Sequence, residues 1–300
     1  MGESPGSPRP PPQRSWAKGR RVIAPVPRQT ARWLEVVYGR RPELDAPAEM
    51  YHEASKVSPT QIGRQIEGAR RLESSPDLQL SSTRAVKRRG LPAAVLPPPR
   101  RPDLPLWEAI GTRRSQRAFA DEPVAGDELS ALLQAGYGVT GALESPAGAQ
   151  ALPLRSVPSG GALYPLELYI GALRVEGLKS GLYHFDPLRP GLEVLRARLA
   201  PDEAAALSTY PEIVSGCGVV VFVAAIFGRT RFKYGLRGYR FALLEAGHVG
   251  QNLVLAASAL ALGAVPLGGF YDRRTDELLG LDGVNESTLY TIAIGRIADG

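Results

Sequence analysis

The sequence predicts an α+β protein, and three observations carry that prediction. Apolar β-rich segments and helical segments alternate irregularly along residues 106–300, which does not suit a doubly wound parallel sheet. One Ala/Leu-rich stretch, residues 236–262, has few charges after Glu245 and reads as a single long helix buried almost all round. No Gly-x-Gly-x-x-Gly opens a helix after a strand, so a Rossmann-type dinucleotide site is not indicated. The expected architecture is a central, mostly antiparallel sheet packed by helices around that long helix.

The elements follow in order. Residues 1–45 are basic and Pro-rich and read as a flexible extension, with a short helix expected at 29–38. Residues 46–105 form an N-terminal region that ends in Leu-Pro-Pro-Pro-Arg-Arg-Pro, an extended linker or a strap laid over the body. The compact domain spans 106–300. A helix from Leu106 runs toward an arginine cluster, and Asp127–Ala135 is a helix with acids in its first turn. The Gly/Ala/Pro-rich stretch 139–153 reads as a mobile loop. Strands are expected at 166–173, 181–185 and 192–195, with Asp186-Pro187 turning between the last two. The unbroken apolar run 217–227 suits a strand covered on both faces. Gly263 should end the long helix, 264–270 should form a strand entering a turn, 272–279 a short helix and 288–294 a closing strand.

Composition excludes several classes of function. The net charge of +6 sits in the first third, where 18 Lys and Arg face 9 Asp and Glu, against 18 facing 21 in residues 101–300. A solvated arm accounts for that imbalance, because no basic face with aromatic interleaving accompanies it; nucleic acid is not an expected partner. No charge-free apolar run reaches the roughly 18 residues of a membrane span, and residues 1–21 lack the apolar core of a secretory signal. Cytoplasm is the default compartment. The single cysteine, Cys217, precedes an apolar strand and reads as a buried side chain. His52, His184 and His248 are scattered without metal-ligand spacing, so no metal is expected. His248 reads as a core or helix–helix contact and His184 as structural, as do Glu245, Gln251 and Asn252.

Chemistry is suggested by the segment Pro-Ser-Gly-Gly-Ala-Leu-Tyr-Pro, residues 158–165. Its adjacent glycines let main chain lie flat against a ligand, and its prolines fix entry and exit. Upstream, Arg113, Arg114, Ser115 and Arg117 offer guanidinium forks and a hydroxyl suited to phosphate. Downstream lie Lys233-Tyr234, a second Gly-Gly turn at Leu267-Gly268-Gly269, and Arg296. Two arginine sites and two glycine loops fit a nucleotide-like cofactor whose phosphate takes the cations and whose ring lies on bare backbone.

These motifs, together with Gly-Leu-Tyr-His-Phe-Asp-Pro (181–187), Phe-Lys-Tyr-Gly-Leu-Arg-Gly-Tyr-Arg (232–240) and Leu-Leu-Glu-Ala-Gly-His-Val-Gly-Gln-Asn-Leu (243–253), resemble the nitroreductase-fold flavoproteins. Within them the chain resembles the SagB-type dehydrogenases of thiazole/oxazole-modified peptide biosynthesis. The likeness runs from about residue 50, where Tyr-His-Glu-Ala-Ser-Lys (51–56) matches, to 297. It implies FMN held at a homodimer interface. Arg113, Ser115 and Arg296 would take the phosphate and ribityl end, and Arg117 the N1–C2 edge, where a cation stabilises reduced flavin. Pro158, Ser159, Gly160 and Gly161 would line the ring, and the backbone of Leu267, Gly268 and Gly269 would face N5. Arg114 belongs to the cluster with its role open.

The same resemblance implies that Lys233 and Tyr234 are catalytic. Oxidising an azoline ring to an azole removes a hydride from one carbon and a proton from its neighbour. A lysine accepts that proton only in its neutral form, which burial favours. The phenol beside it would orient the amine or relay the proton. Phe232 departs from the basic residue expected there. The implied function is FMN-dependent oxidation of peptide thiazolines or oxazolines made by a partner cyclodehydratase. Two rivals stay open: an NAD(P)H-dependent nitro- or quinone reductase of the same fold, and a flavin-less scaffold subunit of a modification complex.

Overall fold

The computed structural model describes residues 47–57, 62–87, 90–144, 151–189 and 191–298. The extension 1–45 and the helix expected at 29–38 lie outside them. The chain divides into two compact units, Met1–Glu53 and Ala54–Gly300. Residues 54–105 therefore belong to the same unit as the domain expected to begin at 106. The first helix, α1 (Pro47–Ala54), covers the last described residues of the first unit.

In the second unit, α2 (Ile62–Glu73) and α3 (Pro76–Thr83) come first. Ser75 caps α3 through its hydroxyl, with proline at the first helical position, where no amide is needed. The Pro-rich stretch that follows is a strap. Its two-residue strand β1 (Ala93–Ala94) pairs with a sheet edge, the Pro97 carbonyl accepts from Ser130 Oγ at 2.6 Å, and the Arg100 amide donates to the Asp127 carbonyl at 3.0 Å. Proline suits this path because it needs no amide partner.

Helices α4 (Leu106–Thr112) and α5 (Gly126–Tyr137) follow. The stretch expected as a mobile loop contains a hairpin instead, β2 (Val139–Leu143) paired antiparallel with β3 (Leu152–Arg155). Small residues hid it: on β2 only Val139 and Leu143 are large and apolar.

The central sheet has seven strands, all antiparallel, as expected. They are β4 (Leu166–Ala172), β5 (Gly181–Phe185), β6 (Leu192–Arg196), β7 (Val219–Ile226), β8 (Leu262–Leu267) and β9 (Glu286–Arg296), with β1 at the edge, in the order β1-β6-β5-β4-β7-β9-β8. Central β7 shows why an unbroken apolar run is needed. Val219, Val221, Val223 and Ala225 join the core beneath α5 and the long helix α9 (Leu236–Ala259), while Val220, Phe222 and Ala224 join a second core on the other face. That second core is closed by α6 (Pro201–Ala205) and α7 (Pro211–Gly216), two short helices with proline at their starts. Cys217 lies buried there, and burial pushes its thiol up to about 12, so it is inert at neutral pH. Two further helices complete the set, α8 (Gly228–Tyr234) and α10 (Asp272–Leu279).

Three expectations about α9 need correction. It is not buried all round: Leu243, Leu244, Gly247, His248 and Gln251 are exposed and repeat at helical spacing, so His248 is a surface residue. It ends before Gly263, through Ala261 in a left-handed conformation at φ 56°. Gly263 lies inside β8, where a Cβ would stand 2.9 Å from Gln116 Cβ and 3.2 Å from the Phe119 ring. Its lack of a side chain serves close packing, not helix termination. Among the described residues no helix is long and apolar enough to cross a membrane, and no group of three or more His, Cys, Asp or Glu could hold a metal ion.

Candidate active site

The loop 158–165 joins β3 to β4 and is held in an unusual backbone path. Gly161, Ala162 and Tyr164 all have positive φ, at 67°, 53° and 43°. Two of these carry side chains, so the path costs roughly 1–3 kcal/mol each and persists only because surrounding bonds fix it. Those bonds are present. Ser159 Oγ accepts from the Tyr164 amide at 2.9 Å, the Ala162 amide donates to the Ser159 carbonyl at 3.1 Å, and the Arg155 amide donates to Tyr164 Oη at 3.0 Å.

Lys233 and Tyr234 end α8, a seven-residue helix that stops at Gly235 with φ 57°. The structure brings both side chains to the glycine loop. A Cβ added to Gly161 would lie 2.7 Å from Tyr234 Oη and 2.9 Å from Lys233 Nζ, and one on Gly160 would lie 3.1 Å from the Phe241 ring. The space freed by the missing side chains is thus filled by Lys233, Tyr234 and Phe241 on that side, while Gly161 itself stays exposed to solvent. Lys233 Nζ sits 5.2 Å from the Tyr234 ring centroid, and that ring meets Phe241 edge-on at 4.9 Å. From behind, Gly68 of α2 presses so closely that a Cβ there would stand 2.7 Å from the Lys233 carbonyl oxygen.

The arginine segment and the second glycine turn are organised by β8. Ser115 bridges to Ala264, and the Gln116 amide donates to the Ala264 carbonyl at 3.1 Å. Ser115 and Arg117 are exposed and Arg113 is half-buried, with no acidic partner for Arg113 among the described residues. Arg114 has a role of its own. Its Nη1 turns back to the carbonyls of Gly111 and Arg113 at 3.0 and 2.8 Å, where a cation satisfies the end of α4. Leu267, Gly268 and Gly269 leave the far end of β8. The Gly269 carbonyl accepts from the Thr209 amide at 3.0 Å, whereas a Cβ on Gly268 would meet open space. Pro158 is exposed at the mouth of the first loop.

Arg296, expected at the phosphate, is paired in this structure with a buried carboxylate. Its Nη1 and Nη2 grip Glu128 Oε1 and Oε2 at 3.1 and 2.7 Å, and its Nε donates to the Pro123 carbonyl at 3.2 Å. Glu128 is fully buried at the start of α5, where it also accepts from the Ala125 amide and from Arg100 Nη1. A buried carboxylate needs such cations, and Arg296 supplies one of them, beside Arg100.

Two buried polar clusters border the site, one around Glu245 and one around His184, both expected from sequence to be structural. In one, Tyr137 Oη donates to Glu245 Oε1 at 2.8 Å and accepts from the Leu166 amide at 3.1 Å. Burial pushes the Glu245 carboxyl up to about 7, against the opposing pull of the Ser159 and Tyr137 hydroxyls and of Arg155 and Arg229. In the other, His184 lies between Glu167 (Nε2 to Oε2, 2.7 Å) and Glu193 (Nδ1 to Oε2, 2.9 Å). Glu167 Oε1 in turn meets Arg229 Nη2 at 2.6 Å. The signal for this cluster was present in the sequence: Glu167, His184 and Glu193 interrupt the apolar stretches of β4, β5 and the start of β6, and buried charges require partners.

The chain belongs to the nitroreductase family, whose model matches residues 110–296, and it is accordingly an oxidoreductase of a flavin-binding class. Among its relatives is the nitroreductase-like protein MJ1384 of Methanocaldococcus jannaschii, 34% identical over 65% of this chain and 92% of that protein. The microcin B17-processing protein McbC of Escherichia coli is 32% identical over 48% of this chain and 55% of McbC, so the likeness spans about half of that protein. The E. coli microcin synthetase McbBCD complex with truncated pro-MccB17 bound contains a chain that matches with a TM-score of 0.53 at 23% identity, covering 83% of this chain and 87% of that one, a likeness of fold.

Proposed function

We propose that this protein oxidises thiazolines and oxazolines of a ribosomally made peptide to thiazoles and oxazoles, using FMN. The observation that carries the reading is the convergence of Lys233 Nζ and Tyr234 Oη on Gly161, in a loop held at strained backbone angles. A simple nitroreductase needs no such amine and phenol, because its substrates accept electrons without removal of a proton. The similarity to McbC, a peptide-processing protein, supports the same reading.

The residues present fit the cofactor. Gly268 offers bare backbone with open space before it, and Arg113, Ser115 and Arg117 offer two cations and a hydroxyl on one short segment. Arg113 and Ser115 would hold the phosphate and ribityl end and Arg117 the N1–C2 edge, with Arg296 left to Glu128. Pro158, Ser159, Gly160 and Gly161 would border the ring on one side and Leu267, Gly268 and Gly269 on the other. FMN held there would supply the two-electron acceptor for the azoline hydride, with molecular oxygen as the final oxidant.

Lys233 Nζ takes the proton from the neighbouring ring carbon, and Tyr234 Oη orients that amine. Phe241 packs edge-on against the Tyr234 ring and limits its movement. The gain in aromaticity drives the reaction, so alignment and proton removal are what the protein must supply. A partner cyclodehydratase would make the azolines first. A second copy of the chain would cover the exposed apolar side chains of α4 and α9, which include Leu106, Trp107, Leu243 and Leu244.

Mass spectrometry tests the reading. Protein reconstituted with FMN is incubated in air with an azoline-containing peptide, beside Lys233→Ala. Loss of two hydrogens per ring with wild type alone supports it. No loss, together with NADPH-driven nitroarene reduction that Lys233→Ala leaves intact, would replace it with the reductase reading.

A further inference from the structure

The two halves of the site, the glycine loop and α8, come from segments far apart in the chain, and one side chain ties them together. Arg229 Nη1 donates to the Tyr164 carbonyl at 3.4 Å, across 65 residues, while its Nη2 grips Glu167 at 2.6 Å. Tyr164 is the last of the loop's positive-φ residues, and Arg229 stands one helical turn before Lys233.

A helix as short as α8 has no stability of its own, so its direction is set by anchors. Thr230 Oγ1 donates to the Gly238 carbonyl at 3.0 Å, Phe227 stacks on Tyr239 at 4.4 Å, and Gly68 packs behind Lys233. These hold α8 against α9 and α2. Arg229 holds it against the loop.

The guanidinium is itself aimed by a buried chain of charges. Glu167 opens β4, and its Oε1 accepts from Arg229 and from the Lys87 amide at 2.8 Å. Its Oε2 accepts from His184 Nε2, whose Nδ1 meets Glu193. With a carboxylate on each ring nitrogen, both nitrogens donate and the imidazole is a cation. Two carboxylates and two cations then form a neutral quartet linked by hydrogen bonds, with Glu167 and His184 almost wholly shielded from water. Such a network has one good arrangement and transmits it to Arg229.

We infer that Arg229 is a positioning residue that holds Lys233 against the Gly160-Gly161 loop, with its guanidinium fixed in direction by the Glu193–His184–Glu167 chain. The inference rests on the reading of Lys233 as the working base.

The test compares wild type with Arg229→Ala and Arg229→Lys. Lysine keeps the charge beside Glu167 and lacks the fork needed to reach Tyr164 as well. In FMN-free protein, Lys233 is acetylated with an N-hydroxysuccinimide ester and its rate is measured against exposed Lys179 in the same digest. In FMN-loaded protein, azoline turnover and FMN affinity are measured with and without added guanidinium. Expected is a severalfold change in the Lys233 to Lys179 ratio in both variants. Turnover should fall about 100-fold in Arg229→Ala, the scale of an ångström's misplacement, with KM and FMN affinity within about threefold of wild type. Added guanidinium should restore much of the lost kcat.

An unchanged labelling ratio overturns the inference. So does a parallel loss of kcat, FMN affinity and melting temperature that guanidinium does not relieve, which is what a merely structural residue would give. Should Arg229→Ala fail to fold, Arg229→Lys carries the comparison. Should wild type fail to aromatise azolines, the functional reading falls, and the labelling ratio still decides whether Arg229 holds Lys233.

Discussion

Lys233 Nζ stands 2.9 Å from the point where a Cβ on Gly161 would lie. The glycine is therefore required twice, once for its φ of 67° and once for the room it leaves the amine. Gly161→Ala should lower stability by about 1–3 kcal/mol through left-handed backbone strain and crowding, and should lower azoline turnover more than tenfold by displacing the base (roughly,). A double-mutant cycle separates the two contributions. In a Lys233→Ala background the crowding by the amine disappears, leaving the backbone strain and the contact with Tyr234 Oη, so the stability cost of Gly161→Ala should shrink without vanishing. An equal cost in both backgrounds would show that the contact with Lys233 has no energetic consequence.

Arg296 and Glu128 lead to a prediction opposite to the one sequence alone suggests. A phosphate ligand lost by mutation weakens cofactor binding, whereas a partner lost by a buried carboxylate weakens the fold. Arg296→Ala should cost about 2–3 kcal/mol, below the usual figure for breaking a buried pair because Arg100 still reaches Glu128 at 2.9 Å. FMN affinity, measured by titration of the apoprotein, should stay within about threefold of wild type, a change of less than about 1 kcal/mol. A tenfold or greater loss of affinity with an unchanged melting temperature would return Arg296 to the phosphate site (a factor of ten being about 1.4 kcal/mol,).

Much of the sheet was legible because its residues leave little choice. The β7 run admits only a strand covered on both faces, and Asp186-Pro187 marks the turn after β5. What was hidden falls into two kinds. Elements such as α8, Gly-Arg-Thr-Arg-Phe-Lys-Tyr, have no apolar period, since they are fixed by tertiary anchors and not by an amphipathic face. Long-range pairing was equally invisible: Glu128 and Arg296 lie 168 residues apart, and nothing local to either announces the other. The glycine loop and Lys233-Tyr234 could be picked out singly, but their approach to each other depends on Arg229, whose surroundings read as an ordinary basic stretch.

The quartet around His184 should make stability depend on pH. Burial alone would lower the His184 pKa, but hydrogen bonds and charge from Glu167 and then Glu193 more than offset it, and the net shift is upward. Its contribution is complete below about pH 6.5, the free histidine value, and is lost as pH rises through the raised folded value. Glu167 shifts the other way. Burial raises it, and the His184 hydrogen bond and the Arg229 charge outweigh burial to lower it, so its contribution is lost only in acid. The melting-temperature gap between wild type and His184→Gln should accordingly be widest near about pH 6 and narrow as pH rises. A gap that does not vary with pH would mean that the imidazole is not held as a cation.

Glu245 should behave as a buried acid that the fold tolerates better when protonated. Its carboxyl is raised to about 7 mainly by burial, and its Oε2 has no hydrogen-bond partner among the described residues. Because the folded value lies above the unfolded one, folding is favoured at low pH and that advantage disappears as pH climbs through the folded value. Above it the ionised group carries a penalty of up to roughly 3 kcal/mol, since each tenfold change in proton affinity is worth about 1.36 kcal/mol. Glu245→Gln keeps an oxygen to accept from Tyr137 and cannot ionise. It should melt close to wild type near about pH 5 and above it near about pH 8, as calorimetry at the two values would show. If the variant is the less stable at both, the ionised carboxylate is being stabilised by a partner, with Arg155 and Arg229 the nearest cations to examine.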